Sequence, residues 1–302
     1  MELRLLHYFA TLAEELHFGR AAARLHMTQP PLTQAIAQLE RLLGVRLFDR
    51  TKRSVALTAT GQALLPEVLE LLARAQALPE HARAAAAGEL GRLRLAFVST
   101  VGFALLPQWL RGFRALYPQV RVELTEATGD VQLQAFAGDE IDAGFMLHAT
   151  GFAPAGLARH RIAQEPLVLA LPEQHPLAAA QVLTLDAVLA EPLVIFPRRI
   201  VPSLFDAIFA LYHAAGHSPQ VAQEAIQMQT IVNLVSAGLG VAWVPESVRQ
   251  FQRPGVVYRA LGRQGAGGKG LAVPGCETSL VWREGSPSPS LERFIGFVRE
   301  TP

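Results

Sequence analysis

The chain has 302 residues, of which 50% are hydrophobic and 18% charged, a globular composition with enough apolar mass for about two domains. Its formal net charge of +1 excludes holding nucleic acid or a membrane by bulk charge, so any such binding must belong to one region. The single cysteine, Cys276, excludes an internal disulfide framework and a multi-thiolate zinc site, which fits a reducing compartment and makes the cytoplasm the expected location. No basic segment followed by an apolar core opens the sequence. The charge-free stretch Gln229–Pro245 is broken by Asn233, Gly238 and Gly240, so neither export nor membrane insertion is expected.

Charge divides the chain. Residues 1–60 carry eight Lys/Arg against five acids, whereas the remainder carries 19 against 21, an asymmetry expected when one end binds nucleic acid. Within the head, Leu3, Leu6, Phe9, Ala10, Ala13 and Leu16 recur at three and four and predict an amphipathic helix. Arg20–Leu25 consists of helix formers, and Thr28-Gln29-Pro30-Pro31 reads as a capped helix start with prolines in the first turn. The helix that follows faces Leu32, Ile36, Leu39, Leu42 and Leu43 inward and ends at Gly44. Val45–Phe48 and Val55–Leu57 then read as two short strands around the basic turn 49–54, a β-ribbon wing. His7, His17 and His26 read as packing or surface residues.

Residues 61–87 predict one long linker helix with Leu64, Leu65, Val68, Leu69, Leu72, Ala75 and Leu78 in a stripe too apolar to stand alone. A partner helix is expected to cover it. Pro66 is placed in the first turn, and Pro79 predicts a kink or break near Ala77. Gly88–Gly91 reads as a hinge into residues 88–302. There strands at Leu93–Val98, Val120–Thr125, Ile141–Met146, Leu167–Leu171, Pro192–Phe196 and Val241–Val244 alternate with helices at 102–117, 131–137, 202–215 and 230–237. That rhythm argues for two α/β lobes, about 92–162 with 268–302 and about 163–267, closed by a last helix from Ser290 to Thr301. Residues 262–275 read as a Gly-rich loop; its Gly265–Gly270 run lacks the ending and the following helix of a phosphate loop. His213 and His217 stand four apart without a third metal ligand and read as a surface pair, and no resolving cysteine accompanies Cys276.

The run from Phe9 through Phe18, Arg20-Ala21-Ala22, Thr28-Gln29-Pro30-Pro31-Leu32-Thr33, Ile36, Leu39-Glu40, Leu43-Gly44-Val45 and Leu47-Phe48 to Arg50 resembles the winged helix-turn-helix of LysR-type transcriptional regulators. Ile141–Phe145 and Val235–Val241 resemble two segments of the same family's effector module, so the resemblance covers nearly the full length. The head is most similar to the branch controlling benzoate, catechol and chlorocatechol degradation. The resemblance implies a winged helix-turn-helix, a long linker helix and a two-lobed α/β effector domain like that of periplasmic binding proteins. It also implies a non-enzymatic regulator without cofactor that binds double-stranded promoter DNA as a dimer or a dimer of dimers, engages RNA polymerase and answers a small carboxylate.

A helix-turn-helix sets the first residues of its second helix against base edges, here Thr28, Gln29, Pro30, Pro31, Thr33 and Gln34, while Arg50, Thr51, Lys52 and Arg53 of the wing meet phosphates or the minor groove. Gln29 suits adenine and the prolines suit a thymine methyl. Gln34 and Ala35 replace the Arg and Gln that the family often carries there. Leu64, Leu65, Val68 and Leu72 are the expected dimer face. In the effector domain, Ser99 and Thr100 offer two hydroxyls at a helix start, an anion site. By resemblance Thr100 holds the effector; the branch's second hydroxyl falls on Gly129, beside Thr128. Pro197, Arg199, Pro202, Ser203 and Leu204 from the second lobe, with Gln229, complete the expected lining, and Arg198-Arg199 favours a carboxylate. The contrasting reading is a two-lobed small-molecule binder or enzyme without DNA function.

Overall fold

The computed structural model describes residues 2–50, 54–103, 105–261, 271–285 and 287–301. These divide into two compact units, Met1–Arg83 and Ala84–Pro302.

In the first unit, helices α1 (Leu3–Glu15), α2 (Phe18–Arg24) and α3 (Gln29–Leu43) enclose a core in which Phe9, Leu12, Leu32, Ile36 and Leu39 are fully buried. The expected inward set shrinks at its edges: Leu3, Leu16 and Leu42 are exposed, because α1 ends at Glu15 and Leu16 turns left-handed, and because Leu42 sits on the outer face of α3. The Nδ1 of His17 accepts from the N–H groups of Gly19 and Arg20 at 3.1 and 3.2 Å. This residue is therefore the N-cap that starts α2 two residues earlier than expected, rather than a packing residue. Gly44 closes α3 in the left-handed conformation.

Strands β1 (Phe48–Arg50) and β2 (Val55–Leu57) pair antiparallel. The first begins three residues later than expected, since the N–H groups of Leu47 and Phe48 donate to one carboxylate oxygen of Glu40, at 2.9 and 3.2 Å, instead of entering a ladder.

Helix α4 (Ala59–Ala86) starts beneath Thr58, whose hydroxyl accepts from the N–H of Gly61 at 3.0 Å. Both Pro66 and Pro79 lie inside it, so Pro66 is not a first-turn residue, and of the kink or break expected near Ala77 the break does not occur; strong helix formers on both sides of Pro79 carry the helix on. Its apolar stripe is used differently from expectation as well. Val68 is buried in the core of the first unit, and Leu64, Leu65 and Leu72 pack on the same cluster, so these four serve their own head. Leu69, Leu71 and Leu78 are the large apolar residues that α4 leaves exposed.

In the second unit, β3 (Leu90–Phe97) pairs parallel with β4 (Gln119–Glu126) and β5 (Ala143–Ala149). Because β3 starts at Leu90, half of the expected hinge is strand; only Gly88, at φ 73°, keeps a turn conformation. The single helix expected over 102–117 is two, α5 (Ser99–Gly102) and α6 (Leu105–Leu116), and α7 (Gly129–Ala137) follows β4.

The 16-residue strand β6 (Leu157–Pro172), expected only as Leu167–Leu171, crosses between the lobes. Its first half pairs with β11 (Gly275–Arg283), and its second with β9 (Ala242–Pro245) and β10 (Val256–Arg259). The seven-stranded order is β10-β6-β11-β5-β3-β4, with β9 also on β6. Helix α8 (Leu185–Leu189), strands β7 (Leu193–Ile195) and β8 (Val221–Glu224), and helices α9 (Pro202–Ala214) and α10 (Met228–Ser236) complete the second lobe. Helix α11 (Pro289–Glu300) returns to the first.

Each lobe has its own core. One gathers Leu93, Trp109, Phe113, Phe145 and Phe294, and the other Val168, Leu169, Ile208, Tyr212 and Trp243. Burial pushes the Tyr212 phenol up to about 12 and raises the Cys276 thiol, which packs in the second lobe's core.

Candidate functional site

Two surfaces collect the candidate residues. On the first unit, Thr28, Gln29, Pro30, Pro31 and Gln34 are exposed at the start of α3. Thr28 occupies the N-cap without a side-chain cap bond, and the Thr33 hydroxyl donates to the Gln29 carbonyl at 3.1 Å, so Thr33 serves its own helix. Gln29 and Gln34 keep amides directed outward from a helix whose other face is locked into the core.

Arg50 is engaged rather than free: its guanidinium donates to Glu40 at 2.8 Å and lies 5.2 Å from the Phe18 ring centre. Thr51, Lys52 and Arg53 lie outside the described residues. Glu40, which holds the wing's entry through two backbone N–H groups and its cation through a third bond, is the residue that sequence reasoning missed. It stood in the quoted motif, but nothing at the sequence level reveals whom its carboxylate meets.

In the second unit, a cavity opens between the lobes. Its lining includes Val98, Thr128, Val201 and Gln227, the residues immediately before α5, α7, α9 and α10, and none of these helices has a side-chain cap bond at its start. Uncapped helix starts present free N–H groups and positive dipole ends. Ser99 and Thr100, both buried, add hydroxyls, and the Thr100 Oγ1 has no hydrogen-bond partner. A buried hydroxyl without a partner is costly unless something fills the place beside it. The other walls, among them Leu147, Phe196, Ile200 and Met228, are apolar, and among the described residues no Lys, Arg, His, Asp or Glu lines the cavity. What such a chamber can do is hold an anion by dipoles and hydroxyls rather than by counter-charge.

The structure thus brings Ser99, Thr100 and Thr128 together but separates the rest. Gly129, Arg199, Pro202 and Ser203 line a neighbouring cavity. There Arg199 stands 3.9 Å from Asp130, and the Ser203 hydroxyl accepts from the N–H of Ala149 at 3.1 Å. His148, on the same wall, is buried between the Ala149 carbonyl and the Ser279 hydroxyl at 2.9 and 3.0 Å.

Pro197, Leu204 and Gln229 line neither cavity: Leu204 belongs to the second lobe's core, Pro197 accepts a turn bond from Ile200, and Gln229 sits a residue beyond the Gln227 and Met228 that reach the wall. Arg198 is taken by Asp206 through two bonds of 2.7 Å, which hold that carboxyl below its ordinary range. Among the described residues no group of His, Cys, Asp and Glu could hold a metal, and no helix is long and apolar enough to cross a membrane.

Residues 3–62 match the family model of bacterial regulatory helix-turn-helix proteins of the lysR family, and residues 86–302 match that of the LysR substrate binding domain. The chain is 44% identical over 301 residues to the HTH-type transcriptional regulator IlvR of Caulobacter vibrioides, covering 99% of this chain and 98% of that one. It is 34% identical to ClcR of Pseudomonas putida, covering 99% and 98%. Full-length CbnR crystallised with its target DNA superposes with a TM-score of 0.76 at 32% identity, covering 99% of each chain. A helix-turn-helix head joined through a helix to a two-lobed substrate-binding domain defines a DNA-binding transcriptional regulator rather than an enzyme. This chain belongs to the LysR family of such regulators.

Proposed function

We propose that the protein binds promoter DNA as an oligomer and changes its grip when a small carboxylate, of the aromatic acids or their ring-opened products, enters the interlobe cavity. The observation that carries the ligand half is the unpartnered, buried Thr100 hydroxyl facing a chamber ringed by uncapped helix starts. In this reading two heads meet half-sites about one helical turn apart or a multiple of it, and four bend the promoter, in the cytoplasm, with RNA polymerase as the eventual partner. Binding that favours one lobe arrangement shifts the population of DNA-bound states by its differential affinity. DNA contact falls to Gln29, Pro30, Pro31 and Gln34, backed by wing cations including Arg50.

Thr100→Val keeps the side chain's shape and removes its oxygen. Operator affinity is expected to stay unchanged while the response to ligand is lost, as followed by footprinting the DNA upstream of the gene with and without a panel of aromatic acids. A footprint that responds to the same acid in both proteins would remove Thr100 from the site. A footprint absent from wild type at moderate salt would instead sink the DNA assignment for that promoter.

For the oligomer, the supporting feature is the exposed pair Leu71 and Leu78, seven residues apart and therefore on one side of α4. Changing both to Glu is expected to dissociate the assembly in sedimentation experiments without lowering the melting temperature of the head. Val68→Glu, buried in that head, is expected to unfold it.

A further inference from the structure

From the contacts that meet where the linker helix ends, we infer that Arg293 is a positioning residue: it fastens the C-terminal end of α4 to the effector domain, and through that joint changes at the interlobe cavity reach the helix that leads to the DNA-binding head. The transmission, though not the fastening, rests on the effector reading of this cavity.

Helix α4 is continuous across the boundary of the two units, and its residues from Ala84 on belong to the second. It ends in a Schellman turn: Gly88, at φ 73°, donates its N–H to the Ala85 carbonyl at 3.1 Å, and the Glu89 N–H donates to the Ala84 carbonyl at 2.9 Å. The next carbonyl free of that turn, on Ala87, accepts from the Nε of Arg293 of α11 at 2.7 Å. A cation at a helix C-terminus is favoured by the dipole as well as by its hydrogen bond. The same guanidinium stands 3.6 Å from the Glu89 carboxylate and 5.8 Å from the ring centre of Tyr117, the residue after α6.

The joint is closely seated. A Cβ on Gly88 would stand 2.2 Å from the Pro289 carbonyl oxygen and one on Gly91 2.8 Å from the Ser290 hydroxyl, so the segment expected as a hinge lies flush on the first residues of α11. The Arg293 side chain is exposed, whereas Phe294 and Phe297 hold α11 edge-on against Phe113 of α6 at 5.1 and 5.7 Å; losing the guanidinium therefore leaves that packing in place. From the joint, β3 runs from Leu90 to Phe97, paired along its whole length with β4, and leads directly into Val98, Ser99 and Thr100 on the cavity wall. One ladder-bound strand thus separates the fastened end of α4 from the hydroxyls placed to meet an effector.

Two readouts on full-length Arg293→Ala and Arg293→Lys test the two halves. Spin labels on Gln76→Cys and Glu140→Cys, with Cys276 buried and labelled chains diluted in unlabelled ones, give the spread of distances between α4 and the effector domain without ligand. That spread is expected to widen about twofold in Arg293→Ala and to narrow again in Arg293→Lys, which keeps a cation for the Ala87 carbonyl. An unchanged spread in Arg293→Ala would overturn the fastening. For the transmission, affinity for the DNA upstream of the gene is measured with and without benzoate and cis,cis-muconate. In wild type one acid is expected to change it about fivefold or more, and in Arg293→Ala that ratio is expected to fall toward one while calorimetric affinity for the acid and the melting temperature stay as in wild type. A ratio kept in Arg293→Ala, or an acid affinity lost with it, would overturn the transmission. A wild type whose DNA affinity answers neither acid would overturn the transmission together with the effector reading, and the distance spread would still decide the fastening.

Discussion

Replacing Gln29 by Ala is expected to cost about 1–3 kcal/mol on the specific operator, roughly 5- to 150-fold in affinity, while leaving binding to random DNA nearly unchanged. Gln29 is the first residue of α3, exposed, and its side chain is not used by the fold. Its neighbours Pro30 and Pro31 need no N–H partners in the first helical turn, so the helix start is set without recruiting the Gln29 amide. An amide so placed can pair two-fold with adenine, and its loss removes base discrimination rather than general attraction. Competition gel shifts with operator and random duplexes measure both quantities. Equal weakening on the two DNAs, or none on the operator, would move the recognition residues elsewhere on the head. Arg50→Ala offers the contrast, because a phosphate contact is expected to weaken both DNAs alike and to lower the salt slope by about one. Since Arg50 is held by Glu40, that change also loosens the wing.

Glu40→Ala is expected to destabilise the head by about 1–3 kcal/mol and to weaken DNA binding more than its own distance from the groove would suggest. One oxygen of this half-buried carboxylate receives the N–H groups of Leu47 and Phe48, and the other receives the guanidinium of Arg50. Removing it leaves two backbone donors at the entry to β1 without their acceptor, beside a fully buried Leu47, and frees a cation that lies over the Phe18 ring. Glu40→Gln keeps one oxygen for the two backbone N–H groups but turns an NH2 donor toward Arg50 and loses the charge, so it is expected to fall between wild type and Ala in thermal unfolding. An Ala variant that melts like wild type and binds the operator as tightly would show that the wing needs no such clamp.

Much of the fold was legible because it rests on local patterns. The three-helix head followed from apolar residues at three and four, from prolines confined to a first turn and from Gly44 past a helix end. The alternation of the second unit followed from apolar runs bounded by breakers. Strand β11 was not legible, because Glu277, Thr278 and Ser279 interrupt its apolar run; they are buried there since Ser279 meets His148 across the sheet and Glu277 lies 3.8 Å from Arg161. Long-range pairing decided that strand, and periodicity carries no record of it.

The same division runs through the site. Residue types and order determined that Ser99 and Thr100 sit at a helix start, where hydroxyls and free N–H groups suit an anion. Only the tertiary structure decided that Arg199 faces Asp130 in a separate cavity, that Arg198 belongs to Asp206, and that Leu64, Leu65, Val68 and Leu72 of α4 pack on their own head while Leu69 and Leu78 stay exposed. Which partner a charge or an apolar face finds depends on chain segments tens of residues away. Local sequence sets what a group can do, and packing sets which of its possible partners it meets.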